Sequence, residues 1–575
     1  MSTEGDQSRA PVYTIAIGGA AGDGIREAGI YFSHFLDRLG FNVYTAFYYP
    51  SLIRGGHNFV RISFSNDKVR ADHRAIDVLV ATNVESVRMH TGELNPGALV
   101  FVDESQAEEA RTLASQVTAL PTKKLTQELK VPYAGGLAVA LGAFAHTIGL
   151  SKEETLDIVE KALVYHRYDT TLMLAEKGYA HAESVALPTW KILRGNNADP
   201  EREVVGGNKA TAMGFLAANL DFFFGYPMTP ATSLMIFLAR EATKTGAKVI
   251  HTEDEISAIN MAIGASFAGK RSVVATGTGG FALMQEGFSL AGIAETPVVI
   301  AVSQRQGPAT GVPTHTAQAD LQFVIHSGHG EFPRFVFAPG DSEEAFYLGA
   351  EALNLAWEFQ VPAVVLLDKT ISESMETCVL RVGDTRAHNE KRWEDSGTPY
   401  HRYAFSDDGI SPFTPPGTPN AVVKGTSYEH DEDGIATEDP GVVQKMQEKR
   451  FKKVDGMMNA LQGIETVKTY GDPESNTVIL CWGSTKGPVL EALRFLTKPV
   501  RVVQVICMEP FDTKRVIDVI GSAQRIIDIE GNHNAQLAAL LREKTGIVVT
   551  DKILHYDSTP FSSHMIAEKV NALLS

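Results

Sequence analysis

Cysteine is scarce: three residues in 575, Cys378, Cys481 and Cys507. They are scattered, with no Cys-x-x-Cys spacing, which excludes a disulfide framework and a four-cysteine metal or iron–sulfur site within this chain. No apolar run reaches the ~18 residues that a membrane-spanning helix requires. Met1–Pro11 is polar and offers no apolar signal region. The expectation is a soluble, cytoplasmic protein with no membrane partner. Basic residues are also in deficit, 52 Lys and Arg against 69 Asp and Glu, for a formal net charge of −17. That argues against nucleic acid or an anionic membrane surface as the main partner, while leaving room for a local basic pocket. What is present is the balance of a globular protein with ample core, 44% hydrophobic and 21% charged. At about 150 residues per domain, three or four domains are expected.

The pattern along the chain is α/β throughout. Val12-Tyr-Thr-Ile-Ala-Ile17 reads as a strand running into Gly18-Gly-Ala-Ala-Gly-Asp-Gly24. A helix follows with Ile25, Ala28, Phe32, Leu36 and Leu39 at helical spacing, and Gly40 stands where a left-handed cap is expected. Short apolar runs at Val78–Ala81 and Ala98–Val102 look like buried parallel strands. A first α/β domain over 1–195 ends at the polar linker Asn196–Pro200. A second, 200–380, has strand candidates at Asp221–Tyr226, Lys248–Thr252, Ser272–Thr276, Pro297–Val302 and Ala363–Leu367, separated by helical patterns. Alternating strands and helices imply mostly parallel sheets covered on both faces. The stretch 381–460 is rich in proline and glycine and too long for an idle loop, so it is expected to pack on something. A third α/β domain covers 470–575.

Several motifs sit where strands turn into helices. Gly19–Gly24 suits a phosphate near a helix start, but no acid ends a second strand at the dinucleotide-binding spacing. Its Gly-Asp-Gly opens the magnesium–diphosphate motif of thiamine enzymes, yet the Asn that completes the motif is missing around Tyr48–Gly56. Arg54-Gly-Gly-His57 puts a cation beside two glycines. Tyr226-Pro-Met-Thr-Pro230 would present Thr229 at the carboxyl end of a parallel strand, unless the threonine merely caps the next helix. Thr252-Glu-Asp-Glu-Ile256 places three acids at a helix start, usually a dipole complement. Arg305–His315 is a Gly/Pro-rich loop. With His326 and His329 nearby, it offers charge-assisted hydrogen bonds to a dicarboxylate. No carboxylate or Cys stands at ligand spacing with these histidines, so no metal site is expected.

Together these residues resemble the 2-oxoacid:ferredoxin oxidoreductases, over nearly the whole chain. Gly207-Asn208, Tyr226–Pro230, Gly277-Thr-Gly-Gly-Phe-Ala-Leu-Met-Gln-Glu286, Arg305–His315, Gln318-Ala-Asp320 and Gly328–Arg334 are similar to the family's thiamine-diphosphate pyrimidine-binding domain. Tyr403, Asp408-Gly-Ile-Ser-Pro412 and Glu429-His430 resemble its alpha-subunit insert. Pro510-Phe511 and Glu530-Gly-Asn532 resemble its transketolase C-terminal-like domain. Residues 11–195 resemble the separate gamma subunit, here fused in front. The likeness is strongest to alpha subunits acting on 2-oxoglutarate, with pyruvate or another 2-oxoacid as the alternative.

The resemblance implies oxidative decarboxylation of a 2-oxoacid with coenzyme A to an acyl-CoA, CO2 and reduced ferredoxin. It implies thiamine diphosphate shared with a beta subunit that holds Mg2+ and a [4Fe–4S] cluster, in a dimer of alpha–beta heterodimers. Counting back from Ala268-Gly269, Glu255 matches the family's catalytic glutamate, with Glu253 second. Tyr226, Pro227, Gly277 and Phe281 fall on cofactor-binding positions. Thr229 and Arg305 fall on catalytic and substrate-binding positions, and His315, Arg54 and His57 on substrate-binding ones. Relatives commonly carry Pro-Thr-Arg where this chain has Pro313-Thr-His315, which makes that cation pH-dependent. From other classes, a non-oxidative thiamine enzyme is disfavoured by the missing diphosphate motif. A nucleotide-binding regulator would leave Tyr226–Arg334 unexplained.

Overall fold

The computed structural model describes residues 10–50, 56–162, 168–185, 187, 190, 194–197, 199–387 and 389–575. The chain divides into two compact units. Unit 1 holds the residues up to Val205 with Ser374–Val379 and Ser562–His564; unit 2 holds Gly206–Glu373, Leu380–Phe561 and Met565–Ser575. Among the described residues no helix is long and apolar enough to cross a membrane.

In unit 1 the strands are β1 (Tyr13–Ala20), β2 (Asn42–Tyr48), β3 (His57–Ser65), β4 (Ile76–Ala81), β5 (Leu94–Asp103), β6 (Gln116–Leu120), β7 (Arg202–Gly206) and β14 (Met375–Val379). They form one sheet in the order β6-β5-β4-β1-β3-β2-β14-β7. From β6 to β1 the pairing is parallel; β1, β3, β2 and β14 pair antiparallel. β3 falls outside the expected strands because it has no continuous apolar run. Val60, Ile62 and Phe64 face one core while Arg61, Ser63 and Ser65 alternate with them. Ile15 and Ile17 of β1 pack in the core with the helix Ile25–Arg38, whereas Ala16 packs in a second core with Val87. The connection from β1 passes over one face and that from β4 over the other. The carboxyl ends of β1 and β4 therefore flank a topological switch point, the crevice where open α/β sheets bind ligands.

Unit 2 carries two sheets. The larger is built from β8 (Phe222–Gly225), β9 (Lys248–His251), β10 (Ser272–Gly277), β11 (Val298–Gln304), β12 (Phe335–Phe337), β13 (Pro362–Asp368) and β18 (Cys507–Glu509). Its order is β18-β12-β13-β11-β10-β8-β9, parallel except for β18. β11 and β13 are buried at every position, as strands covered on both faces must be. The smaller sheet, β15 (Val467–Gly471), β16 (Thr477–Cys481), β17 (Arg501–Val505), β19 (Arg525–Glu530) and β20 (Asp551–Leu554), runs β15-β17-β16-β19-β20 and is parallel except for β15. The described residues thus form three sheets, mostly parallel in unit 2 and mixed in unit 1.

The proline-rich excursion is anchored by buried charge. Glu295 accepts Lys449 Nζ at 2.7 Å and Lys453 Nζ at 2.5 Å, both from the helix Pro440–Leu461, and all three side chains are about 1% exposed. Arg402 donates to the Glu295 carbonyl at 2.7 Å and to Gln360 Oε1 at 2.9 Å. Burial would raise the Glu295 carboxyl, but Lys449, Lys453 and Arg402 outweigh it and hold it well below the usual range. One carboxylate serves two ammonium groups, and burial pushes Lys453 down to about 7.

Candidate active site

The candidate residues of unit 2 collect at one edge of its larger sheet. β8, β9, β10, β11 and β13 run parallel, so the loops at their carboxyl ends lie side by side. They supply Tyr226–Pro230, Thr252–Glu255, Gly277–Gly280, Arg305–His315 and Lys369-Thr370 in turn.

The helix Glu255–Phe267 begins at the second of these loops. Asp254 caps it, its Oδ1 accepting the Ser257 backbone N–H at 2.6 Å. These hydrogen bonds hold the Asp254 carboxyl below its usual value. The three acids therefore part company. Asp254 caps, Glu253 is exposed, and Glu255 turns inward to 3% exposure. Glu255 Oε1 is buried without a hydrogen-bond partner, an arrangement costly enough to call for a ligand donor. Opposite stands Gly280. A Cβ there would lie 2.7 Å from Glu255 Oε1 and 2.1 Å from Thr276 Oγ1, so only glycine leaves the carboxyl its place.

The Thr229 turn is held from two sides. Asn208 Nδ2 donates to the Pro230 carbonyl and to Ser233 Oγ, both at 2.8 Å. Arg305 Nη1 donates to the Thr229 carbonyl at 2.7 Å. Thr229 thus meets Arg305 through its backbone oxygen. Arg305 is partly buried, and burial lowers its pKa; among the described residues it has no acidic partner. Tyr226 is 41% exposed, its ring 6.2 Å from that of His251, and Pro227 is exposed beside it. Gly277 brings the β10 turn against Met228, where a Cβ would sit 3.1 Å from Sδ.

Other expectations resolve differently. Phe281 is fully buried and packs edge-on against Phe288 and Phe323, so its ring belongs to the core and offers no surface to a cofactor. Of the three histidines, only His315 is part-buried; burial and then Lys369 lower its pKa. His326 and His329 are exposed, and His326 bonds Gln322 at 3.1 Å. Among the described residues no cluster of His, Cys, Asp or Glu suits a metal ion. Arg54 lies outside the described residues. His57, in unit 1, is part-buried and faces His90.

Glu530-Gly-Asn532, a plain polar loop in sequence, is a junction. Glu530 accepts Trp482 Nε1 at 3.0 Å, Asn532 Nδ2 at 2.7 Å and the Leu537 N–H at 2.8 Å. Gln318 bonds the Gly531 backbone on both its N–H and its carbonyl, each at 2.8 Å, and donates to the Trp482 carbonyl at 2.8 Å. Sequence reasoning did not single out His90 and Glu93, whose only signal is a three-residue spacing.

A parallel sheet with a buried, unpartnered carboxyl among the loops at its carboxyl edge is the arrangement of a ligand-binding α/β domain. Residues 213–449 match the family model for the thiamine-diphosphate-binding part of pyruvate flavodoxin/ferredoxin oxidoreductases, and residues 14–181 match the pyruvate ferredoxin/flavodoxin oxidoreductase model. The chain is 31% identical to the 2-oxoacid:ferredoxin oxidoreductase subunit alpha of Saccharolobus solfataricus, over 97% of each. It is 34% identical to the 2-oxoglutarate synthase subunit KorA of Archaeoglobus fulgidus, over 44% of this chain and 68% of the relative. A solved structure of 2-oxoglutarate:ferredoxin oxidoreductase from Magnetococcus marinus, with 2-oxoglutarate, coenzyme A and succinyl-CoA bound, superposes with a TM-score of 0.87 at 30% identity, covering 98% of this chain and all of the other. The chain belongs to the 2-oxoacid:ferredoxin oxidoreductase family, aligned with its alpha subunits.

Proposed function

We propose that this chain is the alpha subunit of a 2-oxoglutarate:ferredoxin oxidoreductase, which converts 2-oxoglutarate, coenzyme A and oxidised ferredoxin to succinyl-CoA, CO2 and reduced ferredoxin. The observation that carries the reading is Glu255, a buried carboxyl with an unpartnered Oε1 across from Gly280. It fits a hydrogen bond to the N1′ nitrogen of the thiamine aminopyrimidine ring. Thiamine diphosphate, when bound, supplies an acidic carbon that adds to the keto group and a ring that accepts the electron pair left by CO2. Glu255 holds and exchanges a proton at N1′, general acid–base work worth about 10²–10⁴ in rate. Tyr226, Pro227 and Gly277 edge the same opening. Thr229 and Arg305 hold the reacting carboxylate, with Arg305 already seated on the Thr229 carbonyl. His315 meets the distal carboxylate of a dicarboxylic substrate, and Arg54 and His57 are assigned to the co-substrate side.

A partner is required. The chain has no complete diphosphate motif and no cluster cysteines, so a beta subunit carries Mg2+, the diphosphate tail and the [4Fe–4S] cluster. Ile256 and Met261, 50% and 46% exposed on the helix that buries Glu255, with Leu283 54% exposed nearby, offer that subunit an apolar surface. The assembly is a dimer of alpha–beta heterodimers in the cytoplasm. The 2-oxoglutarate-bound relative supports the substrate. The test is reduction of ferredoxin by the two-chain complex with 2-oxoglutarate and with pyruvate. A higher kcat/KM for 2-oxoglutarate is expected; preference for pyruvate overturns the substrate assignment and leaves the family intact.

A further inference from the structure

Unit 1 holds a hydrogen-bonded line of ionisable side chains, with His90 and Arg61 buried, that ends beside the carboxyl end of β1. His57 opens β3, opposite Ala20 at the carboxyl end of β1. Its Nε2 lies 2.9 Å from Nε2 of His90. His90 Nδ1 lies 2.7 Å from Glu93 Oε2. The inner end is anchored. Glu93 Oε1 accepts Arg61 Nη2 at 2.6 Å, Arg61 reaches Asp72 at 3.3 Å, and Asp72 accepts the Tyr48 hydroxyl at 2.7 Å. His90 is 4% exposed, while His57 is only part-buried and stacks on Phe59.

Hydrogen-bond accounting fixes how protons can sit here. Glu93 is an acceptor, so His90 Nδ1 donates to it and His90 Nε2 is free to accept from His57 Nε2–H. In that tautomer His57 Nδ1 is the ring's acceptor, and the Gly19 backbone stands ready to hydrogen-bond the ring when it is charged. Its neighbour Ser86 Oγ is 3.5 Å away and gives its own proton to Asn83 Oδ1 at 2.8 Å. When Nδ1 gains a proton, the same Ser86 oxygen becomes its acceptor. Both protonation states are provided for, which is what a relay needs and a structural histidine does not.

We propose that Glu93, His90 and His57 form a proton relay that deprotonates an acyl-accepting thiol bound in the unit 1 crevice. This rests on the function proposed above, in which coenzyme A supplies the thiol. His57 Nδ1 takes the S–H proton, His57 Nε2–H passes to His90 Nε2, and the charge comes to rest as an imidazolium beside the Glu93 carboxylate. The thiol becomes a thiolate and no other bond changes. The surrounding charges agree. Burial and then His90 push His57 down to about 4, against raising pulls from Glu85 and the Gly19 backbone. Burial would raise Glu93, but His90 and Arg61 outweigh it and hold it at about 2. The base is therefore free and the counter-charge present at neutral pH. His57 takes the thiol proton and is the catalytic residue of this step; His90 receives the relayed proton, and Glu93 positions His90 and balances its charge.

The test follows succinyl-CoA formation by the alpha–beta complex after mixing with coenzyme A, from pH 6 to 9, for wild type, His57→Gln and Glu93→Gln. Without the relay only pre-formed thiolate reacts. Relative to wild type, the variants should lose about 100-fold at pH 6.5, a deficit that shrinks tenfold per pH unit and closes near the thiol pKa of about 8.5. Melting temperatures close to wild type exclude misfolding, and Glu93→Asp should restore part of the rate. A deficit equal at every pH, or none, overturns the relay while leaving the function standing. A wild-type complex that forms no succinyl-CoA overturns the function, and the relay with it.

Discussion

Glu255 is where single atoms decide most. Its Oε1 has no partner in the chain, and Gly280 keeps the space in front of it. Glu255→Gln keeps the shape and removes the proton exchange, so kcat in the complex should fall about 10²–10⁴-fold with the fold intact. Glu253→Gln, at an exposed side chain, should stay near wild type; the reverse pattern would move the catalytic carboxyl by two residues. Gly280→Ala adds a Cβ only 2.7 Å from Oε1, displacing the carboxyl. It should weaken thiamine diphosphate binding, read by titrating the complex. In unit 1, His57 should give the NMR signature of a neutral imidazole down to about pH 4. Its folded pKa lies below the ordinary 6.5, so between those values the unfolded chain binds a proton that the folded one refuses. His57 therefore withdraws stability as pH falls from 6.5 toward 4. A ring titrating between pH 6 and 7 would contradict this.

Among the elements, the helix Pro440–Leu461 shows how an irregular segment is kept in place. Its Lys449 and Lys453 share Glu295, which follows the helix Gln285–Ile293, and Arg450 pairs with Glu429 of the excursion. Removing one member of a buried ion pair leaves the others uncompensated, typically at a cost of about 3–5 kcal/mol. Glu295→Gln strands two ammonium groups at once. It should lower the denaturation midpoint and open the excursion to protease, while Lys391→Ala, which breaks only the exposed pair with Asp408, should do neither. Equal protease resistance in both variants would show that apolar packing holds the excursion.

For the molecule as a whole, the prediction is dependence on a second chain. Purified alone, the protein should oxidise no 2-oxoacid; measurable turnover by the single chain would end the two-subunit reading. Substrate choice belongs to this scale too. Arg305→Ala should harm all 2-oxoacids, because Arg305 also seats the Thr229 turn. His315→Ala should cost 2-oxoglutarate about 1.5–3 kcal/mol in kcat/KM, the worth of an imidazole N–H hydrogen bond to a charged carboxylate, and spare pyruvate, which has no distal carboxylate. Equal losses for both acids would place the reader of that charge elsewhere.

The α/β class, the parallel strands of unit 2 and the strand-to-helix turns that bear its candidate residues were readable from sequence alone. Buried parallel strands are short continuous apolar runs, and ligand loops lie at their carboxyl ends. Tertiary structure decided what depends on residues far apart in the chain. It turned Glu255, the first choice from sequence, inward at a helix start and left Glu253 exposed, a matter of burial that composition does not carry. It gave Phe281 to the core. It turned Glu530-Gly-Asn532 into a junction through Gln318, more than 200 residues away. It also brought His57 to His90 by pairing β3 with β1 and setting the helix Val84–His90 beside them. Local periodicity reports which face of an element is apolar; only the packed chain reports which side chains meet.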